Sequence, residues 1–180
     1  VVTEVPFIEE SQRTIQKNDR SVLAEAFRIL RTNVNYLLPM HQEGKGAVIF
    51  CGSSIKGEGK TFVSLNMALT YASLDKRTVI VGADLRNPQL HKYLNLDKNR
   101  MGLSNYLHDA TTDWKSLINE NNFKNEYLDI IFAGSVPPNP AELLSNGRFA
   151  VLLESLRAEY DYIIVDTAPT ILVTDTLLIA

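Results

Sequence analysis

The chain has one cysteine, Cys51, among its 180 residues, so no disulfide can form within it and a reducing, cytosolic setting is expected. Cys51 closes an apolar run and reads as a small buried hydrophobe, not a reactive thiol. No stretch reaches the roughly 18 to 20 consecutive apolar residues that a membrane span requires, so the sequence is not expected to cross a bilayer by itself. The opening VVTEVPFIEESQ has acids and a proline where a signal peptide has a basic start followed by an apolar run. Surplus basic charge is missing as well. With 18 Lys and Arg against 21 Asp and Glu, the net charge is -3, and there is no overall field to draw the chain to nucleic acid. Neither an internal repeat nor a low-complexity tract is present.

What is present suffices for one buried core: 45% of the residues are hydrophobic, with 7 Phe, 7 Tyr and 1 Trp. Residues 1–20 read as an N-terminal extension or linker, and 21–180 as a single domain. Four short apolar runs read as strands buried on both faces: KGAVIFCG (45–52), KRTVIVGAD (76–84), YLDIIFAG (127–134) and YDYIIVDTAP (160–169). Helical patterns lie between them. From Lys60, the apolar positions Val63, Met67, Ala68, Tyr71 and Ala72 recur at three- and four-residue spacing, giving a helix with one sheet-facing side. Further helices are expected at 88–94, 103–109, 113–119 and 141–160, the last broken near Gly147. Strands separated by helices predict right-handed crossovers and an α/β fold of three layers, a mostly parallel sheet flanked by helices.

The stretch SSIKGEGKTF (53–62) falls where such a sheet binds ligands, beyond a strand's carboxyl end. It nearly fits the phosphate-binding pattern G-x-x-x-x-G-K-[ST], with Ser54 in place of the first glycine. Gly57 and Gly59 free the backbone to turn its N–H groups toward phosphate oxygens. The helix that follows adds its positive N-terminal end. Lys60 is placed to reach β- and γ-phosphates and the Thr61 hydroxyl to coordinate Mg²⁺. The expected nucleotide-binding set is Ser54, Lys56, Gly57, Glu58, Gly59, Lys60, Thr61 and Phe62. A magnesium–nucleotide site also needs carboxylates, and Asp84 and Asp166 end the second and fourth apolar runs. Together with Thr61 they form the expected metal set.

With SSIKGEGKTF, VIVGADLRNPQLH, GLSNYL, GSVPPNPAELL and DYIIVDTAP in this order, the sequence resembles the cytoplasmic catalytic domain of bacterial tyrosine kinases from about Ser21 onward. These P-loop proteins are related to the MinD/ParA ATPases and tied to capsule and exopolysaccharide export. The resemblance implies an ATP- and Mg²⁺-dependent kinase domain that autophosphorylates tyrosines of neighbouring subunits. It makes Ser54 a family variant. It also matches Asp84 and Arg86 to the second acid and the arginine of a D-x-D-x-R strand end, so Lys60, Asp84 and Arg86 form the expected catalytic set. Gly82 stands where that pattern has its first acid, and restoring an acid there is expected to raise the rate if the backbone permits. Lys56 lies four residues before Lys60, out of register with the signature lysine of the MinD group.

In SVLAEAFRILRTNVNYLL (21–38), Leu23, Phe27, Leu30, Val34 and Leu37 make a helical stripe, while Glu25, Arg28 and Arg31 spell E-x-x-R-x-x-R beside it. The resemblance implies that these three dock into the next subunit of a homo-oligomeric ring. It further implies a membrane-spanning polysaccharide copolymerase segment or adaptor, a cognate tyrosine phosphatase, and a place at the cytoplasmic face of the bacterial inner membrane. The apolar ending ILVTDTLLIA (171–180) reads as a domain cut short of a tyrosine-rich tail. Tyr160 and Tyr162 read as packing residues, not phosphoacceptors. Two other readings stay open at this point: a MinD/ParA-like ATPase that controls assembly with a membrane partner, which Gly82 favours, and a nucleotide-binding scaffold without kinase activity.

Overall fold

Val and Ile dominate the four apolar runs, and each forms a strand: β1 Ala47–Cys51, β2 Thr78–Gly82, β3 Leu128–Ile131 and β4 Tyr162–Asp166. All pair in parallel, in the order β1-β4-β2-β3. The structure, a computed structural model, describes residues 3–6, 14–38, 44–97, 100–120 and 122–169.

Side chains alternate across the sheet with period two, and the two faces have different covers. Val79, Val81, Ile163 and Val165 pack with α3 (Leu103–His108), α4 (Pro140–Ser145) and α5 (Arg148–Glu159). Ile80, Tyr162 and Ile164 pack beneath α2 (Lys60–Ala72), where the Tyr71 and Tyr162 rings stack with centroids 3.8 Å apart. The expected three-layer α/β architecture is present. Tyr160 and Tyr162 are both buried, as packing residues should be.

Several local expectations are corrected. The residues of β1 are half-buried, because β1 pairs with β4 alone among the described residues and lies at an edge of the sheet. Cys51 is half-buried with it, and its thiol is pushed up to about 11 by burial, which keeps it protonated and inert near neutral pH. Helix α2 is not one-sided: residues 64–72 are all buried, because α1 (Val22–Leu37) covers its outer surface. Phe27 meets Phe62 edge-on at 5.9 Å across that contact. Within the α1 stripe Leu37 is exposed, and Leu38 packs inward in its place.

The helices expected at 88–94 and 113–119 are single 3₁₀ segments, Leu90–Leu94 and Trp114–Leu117. Asn95, left-handed at φ 54°, stops the first before an α-turn can propagate. The long segment 141–160 does break at Gly147, which takes φ 82° and caps α5. Ile15, within the stretch read as extension, is buried and donates its N–H to Asn66 Oδ1 at 2.8 Å. The ending ILVTDTLLIA lies outside the described residues. No helix among the described residues is long and apolar enough to cross a membrane.

One close approach anchors the far layer. The N–H groups of Leu103 and Ser104 donate to Phe132 O and Ala133 O at 2.7 and 2.9 Å, drawing the start of α3 onto the end of β3. A Cβ on Gly102 would stand 2.3 Å from Phe132 O and 2.4 Å from Gly134 N, both backbone atoms that cannot turn aside. Gly102→Ala is therefore expected to cost about 3 kcal/mol, the upper part of the range for overpacking. Urea unfolding measures it, and an unchanged midpoint would show that α3 is not held by this contact.

Candidate nucleotide site

The parallel register gathers the chemistry on one rim of the sheet. Cys51, Asp166 and Gly82 are lateral partners at the ends of β1, β4 and β2, and Asp84 follows two residues past Gly82. From Cys51 the chain enters the loop 52–59 and then α2, so the helix N-terminus opens beside both aspartates.

Loop geometry explains which positions must be glycine. Gly57 and Gly59 have φ 90° and 84°, the left-handed region that L side chains avoid, whereas Ser54 has no positive φ. A serine at the first position of the motif therefore strains nothing. Glu58 turns its carboxylate back onto the loop, where Oε2 accepts from the N–H groups of Ser54 at 2.8 Å and Ile55 at 3.2 Å. That ties the loop closed and keeps an anion away from the space where phosphate is expected. Of the expected binding set, Glu58 thus turns its side chain to the loop itself.

Beneath the loop lies a buried cluster. Lys60 Nζ is 3.5 Å from Asp84 Oδ2 and 3.6 Å from Asp166 Oδ1, and the three side chains are 9%, 8% and 2% exposed. Thr61 Oγ1 donates to Asp166 Oδ2 at 2.8 Å. Ser64 Oγ lies 3.1 Å from Asp166 Oδ1 and 2.9 Å from the Lys60 carbonyl. Burial pushes the Asp166 carboxyl up, and the Lys60 ammonium with the two hydroxyls pulls it back down. Asp84 is fixed by the N–H of Asn87, which donates to its Oδ1 at 2.9 Å. The sequence reading overlooks Ser64 and Asn87. Their signals are present all the same: Ser64 shares the inner face of α2 with Lys60 and Thr61, and Asn87 closes a turn on an aspartate three residues earlier.

Above the cluster is an open cavity of about 830 Å³. Lys56, Gly57, Gly59, Lys60, Thr61, Phe62, Asp84 and Arg86 line it, so eight of the expected residues share one space. Ser54 and Glu58 lie outside the lining, and Asp166 sits under it. Ser53, Asn87, Gln89, Lys92, Tyr93 and Asn95 also contribute, although no motif singles them out. Glu25, Arg28 and Arg31 do not join this site. They lie on α1, where Arg28 Nη1 pairs with Glu25 Oε2 at 3.0 Å in a solvent-facing contact and Arg28 Nη2 also meets Asp19 O.

The donor set fits a magnesium–nucleotide group. Among the described residues no three His, Cys, Asp or Glu cluster to hold a metal. Magnesium held between protein and phosphate needs only one or two carboxylates, with phosphate oxygens and water completing the shell. The loop's left-handed glycines, the N-terminus of a 13-residue helix and a lysine ammonium give the phosphates their partners.

Residues 47–180 match the AAA domain family. The chain is 34% identical over 161 residues to the putative tyrosine-protein kinase CapB of Staphylococcus aureus, covering 89% of this chain and 68% of that protein. The chain belongs to the bacterial tyrosine-kinase family of P-loop proteins. It is 37% identical over 163 residues to a putative tyrosine-protein kinase in the cps region of Klebsiella pneumoniae, spanning 91% of this chain and only 22% of that longer protein. The kinase domain of Escherichia coli tyrosine kinase ETK superposes with a TM-score of 0.83 at 31% identity, over 99% of this chain and 72% of that one. A MinD protein of Pyrococcus horikoshii shares the fold at a TM-score of 0.56 and 22% identity, over 67% of this chain and 48% of that one.

Within this family the glycine at 82 has a local cause. A Cβ on Gly82 would lie 3.1 Å from Ala133 N and 3.2 Å from Leu90 Cδ1. The space beside the strand end is filled by the neighbouring chain, so Gly82→Asp must displace it before any carboxylate reaches the site. The expectation that this change raises the rate carries a structural cost the sequence does not reveal.

Lys60 occupies the position between two carboxylates that a divalent cation needs. Removing its charge without its bulk, as in Lys60→Met, should let Mn²⁺ bind to the nucleotide-free protein at least about tenfold more tightly, since competition between cations for one buried anionic pair is relieved. Electron paramagnetic resonance titration reads the free Mn²⁺. Equal or weaker binding in the variant would show that lysine and metal do not compete.

Proposed function

We propose that the chain is the nucleotide-binding and phosphoryl-transfer domain of an ATP- and Mg²⁺-dependent protein-tyrosine kinase, serving capsular or exopolysaccharide synthesis and export. The observation that carries this reading is the Lys60 ammonium lying between Asp84 and Asp166 at the start of α2, on the floor of an open cavity. The names of the relatives, tyrosine kinases of a cps region and a Cap protein, support the substrate class and the pathway.

In this reading the amides at 57–61 and Lys60 hold the phosphates of ATP, and Arg86 adds a cation at the cavity wall. Thr61, Asp84 and Asp166 are the residues that would hold magnesium, directly or through its waters, and the bound ion would supply charge neutralisation at the phosphates. Phosphoryl transfer breaks the bond between the γ-phosphorus and the oxygen bridging to the β-phosphate, and forms one to a phenolic oxygen. The electron pair leaves with ADP and the phenol's proton goes to solvent. This chain's contribution is placement and charge: loop and helix-start amides for the phosphates, a lysine to follow the transferred group, and a cavity open to the incoming acceptor.

The reading extends to assembly. In this reading Glu25, exposed on α1, and the half-buried Arg28 and Arg31 serve a neighbouring subunit of a ring, which would present its tyrosines for phosphorylation in trans. A membrane-spanning copolymerase segment or adaptor would hold the ring at the cytoplasmic face of the inner membrane, and a cognate phosphatase would reverse the modification.

Two measurements test the proposal. Lys60→Met should weaken ATP binding by about tenfold or more, the worth of a charge-assisted phosphate contact, in isothermal titration with folding checked by circular dichroism. Unchanged affinity in the folded variant would remove the phosphate role of Lys60. Replacing Glu25, Arg28 and Arg31 together with Ala should shift sedimentation of the full-length protein toward monomer and lower phosphorylation in trans. An oligomer indifferent to the triple change would leave the three residues as a solvated flank.

A further inference from the structure

The cavity is longer than its phosphate loop. Its lining takes in Gly57, Gly59, Lys60 and Thr61 of the loop and helix start, Asp84, and a wall from the chain leaving Asp84, namely Arg86, Gln89, Lys92, Tyr93 and Asn95. The 3₁₀ segment Leu90–Leu94 carries Lys92 and Tyr93. Its foot, Leu90, is buried against the sheet, and Tyr93 packs part-buried on the same core cluster, so the wall is a braced surface. Lys92 is exposed, as is Lys56 of the same lining, and neither has an ion-pair partner among the described residues. In a chain of net charge -3, this opening carries the exposed ammoniums of Lys56 and Lys92.

In-line transfer fixes which end receives the acceptor. Leaving and attacking oxygens lie on opposite sides of the phosphorus, and the leaving group belongs to the phosphates held by the loop. The incoming phenol must therefore approach past Asp84, along the wall formed by 86–95. Tyr93 offers that phenol a rigid aromatic neighbour. The ammonium of Lys92, next to Tyr93 in the same lining, is within the reach of residues that flank an acceptor tyrosine in this reading.

We propose that Lys92 and Tyr93 form the acceptor subsite, and that Lys92 selects tyrosines flanked by acidic residues. The proposal rests on the kinase reading above and adds to it which tyrosines are taken. Like-charge contact is penalised and opposite charge favoured at such an opening, so the discrimination should reverse with the sign of residue 92.

The experiment compares two peptides, each with one central tyrosine, flanked by Glu in one and by Lys in the other, as substrates of the full-length protein with ATP and Mg²⁺. The readout is the ratio of their kcat/KM values, which does not depend on how much of a sample is folded. Wild type should favour the Glu-flanked peptide by about tenfold, Lys92→Ala should reduce that preference, and Lys92→Glu should bring the ratio to one or below it. A ratio unaffected by Lys92→Glu, or a wild type indifferent to the flanks, overturns the subsite alone. Transfer by wild type to neither peptide, with ATP still bound, overturns the kinase reading and the subsite with it.

Discussion

Taking an ammonium and two carboxylates out of water costs several kcal/mol per ion unless each finds partners in good geometry. Lys60, Asp84 and Asp166 are nearly buried together, and much of the surrounding structure supplies those partners. Thr61 and Ser64 reach Asp166 from the first turn of α2, and the Asn87 amide reaches Asp84 from the turn that follows it. The cluster still has more negative than positive charge. In the proposed reading that excess would favour a divalent cation, with the lysine left to follow a phosphate.

Such a cluster needs a frame that holds three separate chain segments within a few ångströms, and the parallel sheet provides it. Hydrogen-bonded register puts Cys51, Asp166 and Gly82 side by side, so the loop, one acid and the approach to the other acid emerge from the same rim. The sheet is fixed in turn by two unlike covers. On one face α2 is buried nearly all round between the strands and α1; on the other, α3 is drawn so close to β3 that only glycine fits at 102. The rigidity of both layers is what allows a lysine and two carboxylates to be held at fixed distances.

Backbone constraints and packing constraints select glycine for different reasons along this chain. Gly57 and Gly59 are open on the side where a Cβ would stand and are favoured by their positive φ. Gly82 has no such angle but stands in tight quarters, where a Cβ would require its neighbours to give by a few tenths of an ångström. The loop keeps its phosphate-facing shape with a serine at 54 for the same reason: the left-handed turns fall elsewhere.

Local chemistry made part of this legible from residues alone. Four β-branched runs, the glycine-lysine loop and an aspartate closing two of the runs determined a parallel α/β sheet with a nucleotide site on its rim, because each signal acts over a few residues. Sequence periodicity could not say which run would lie at the edge, so β1 reads as doubly buried until the strand order is known. Nor could it show that α2 would be covered on both sides, that Glu58 would fold back on its own loop, or that Leu90 and Ala133 would close the space beside Gly82. Lys92 and Tyr93 carry no motif whatever. They line the same cavity as the phosphate loop, and only the tertiary structure decides such a juxtaposition of segments that local pattern does not couple.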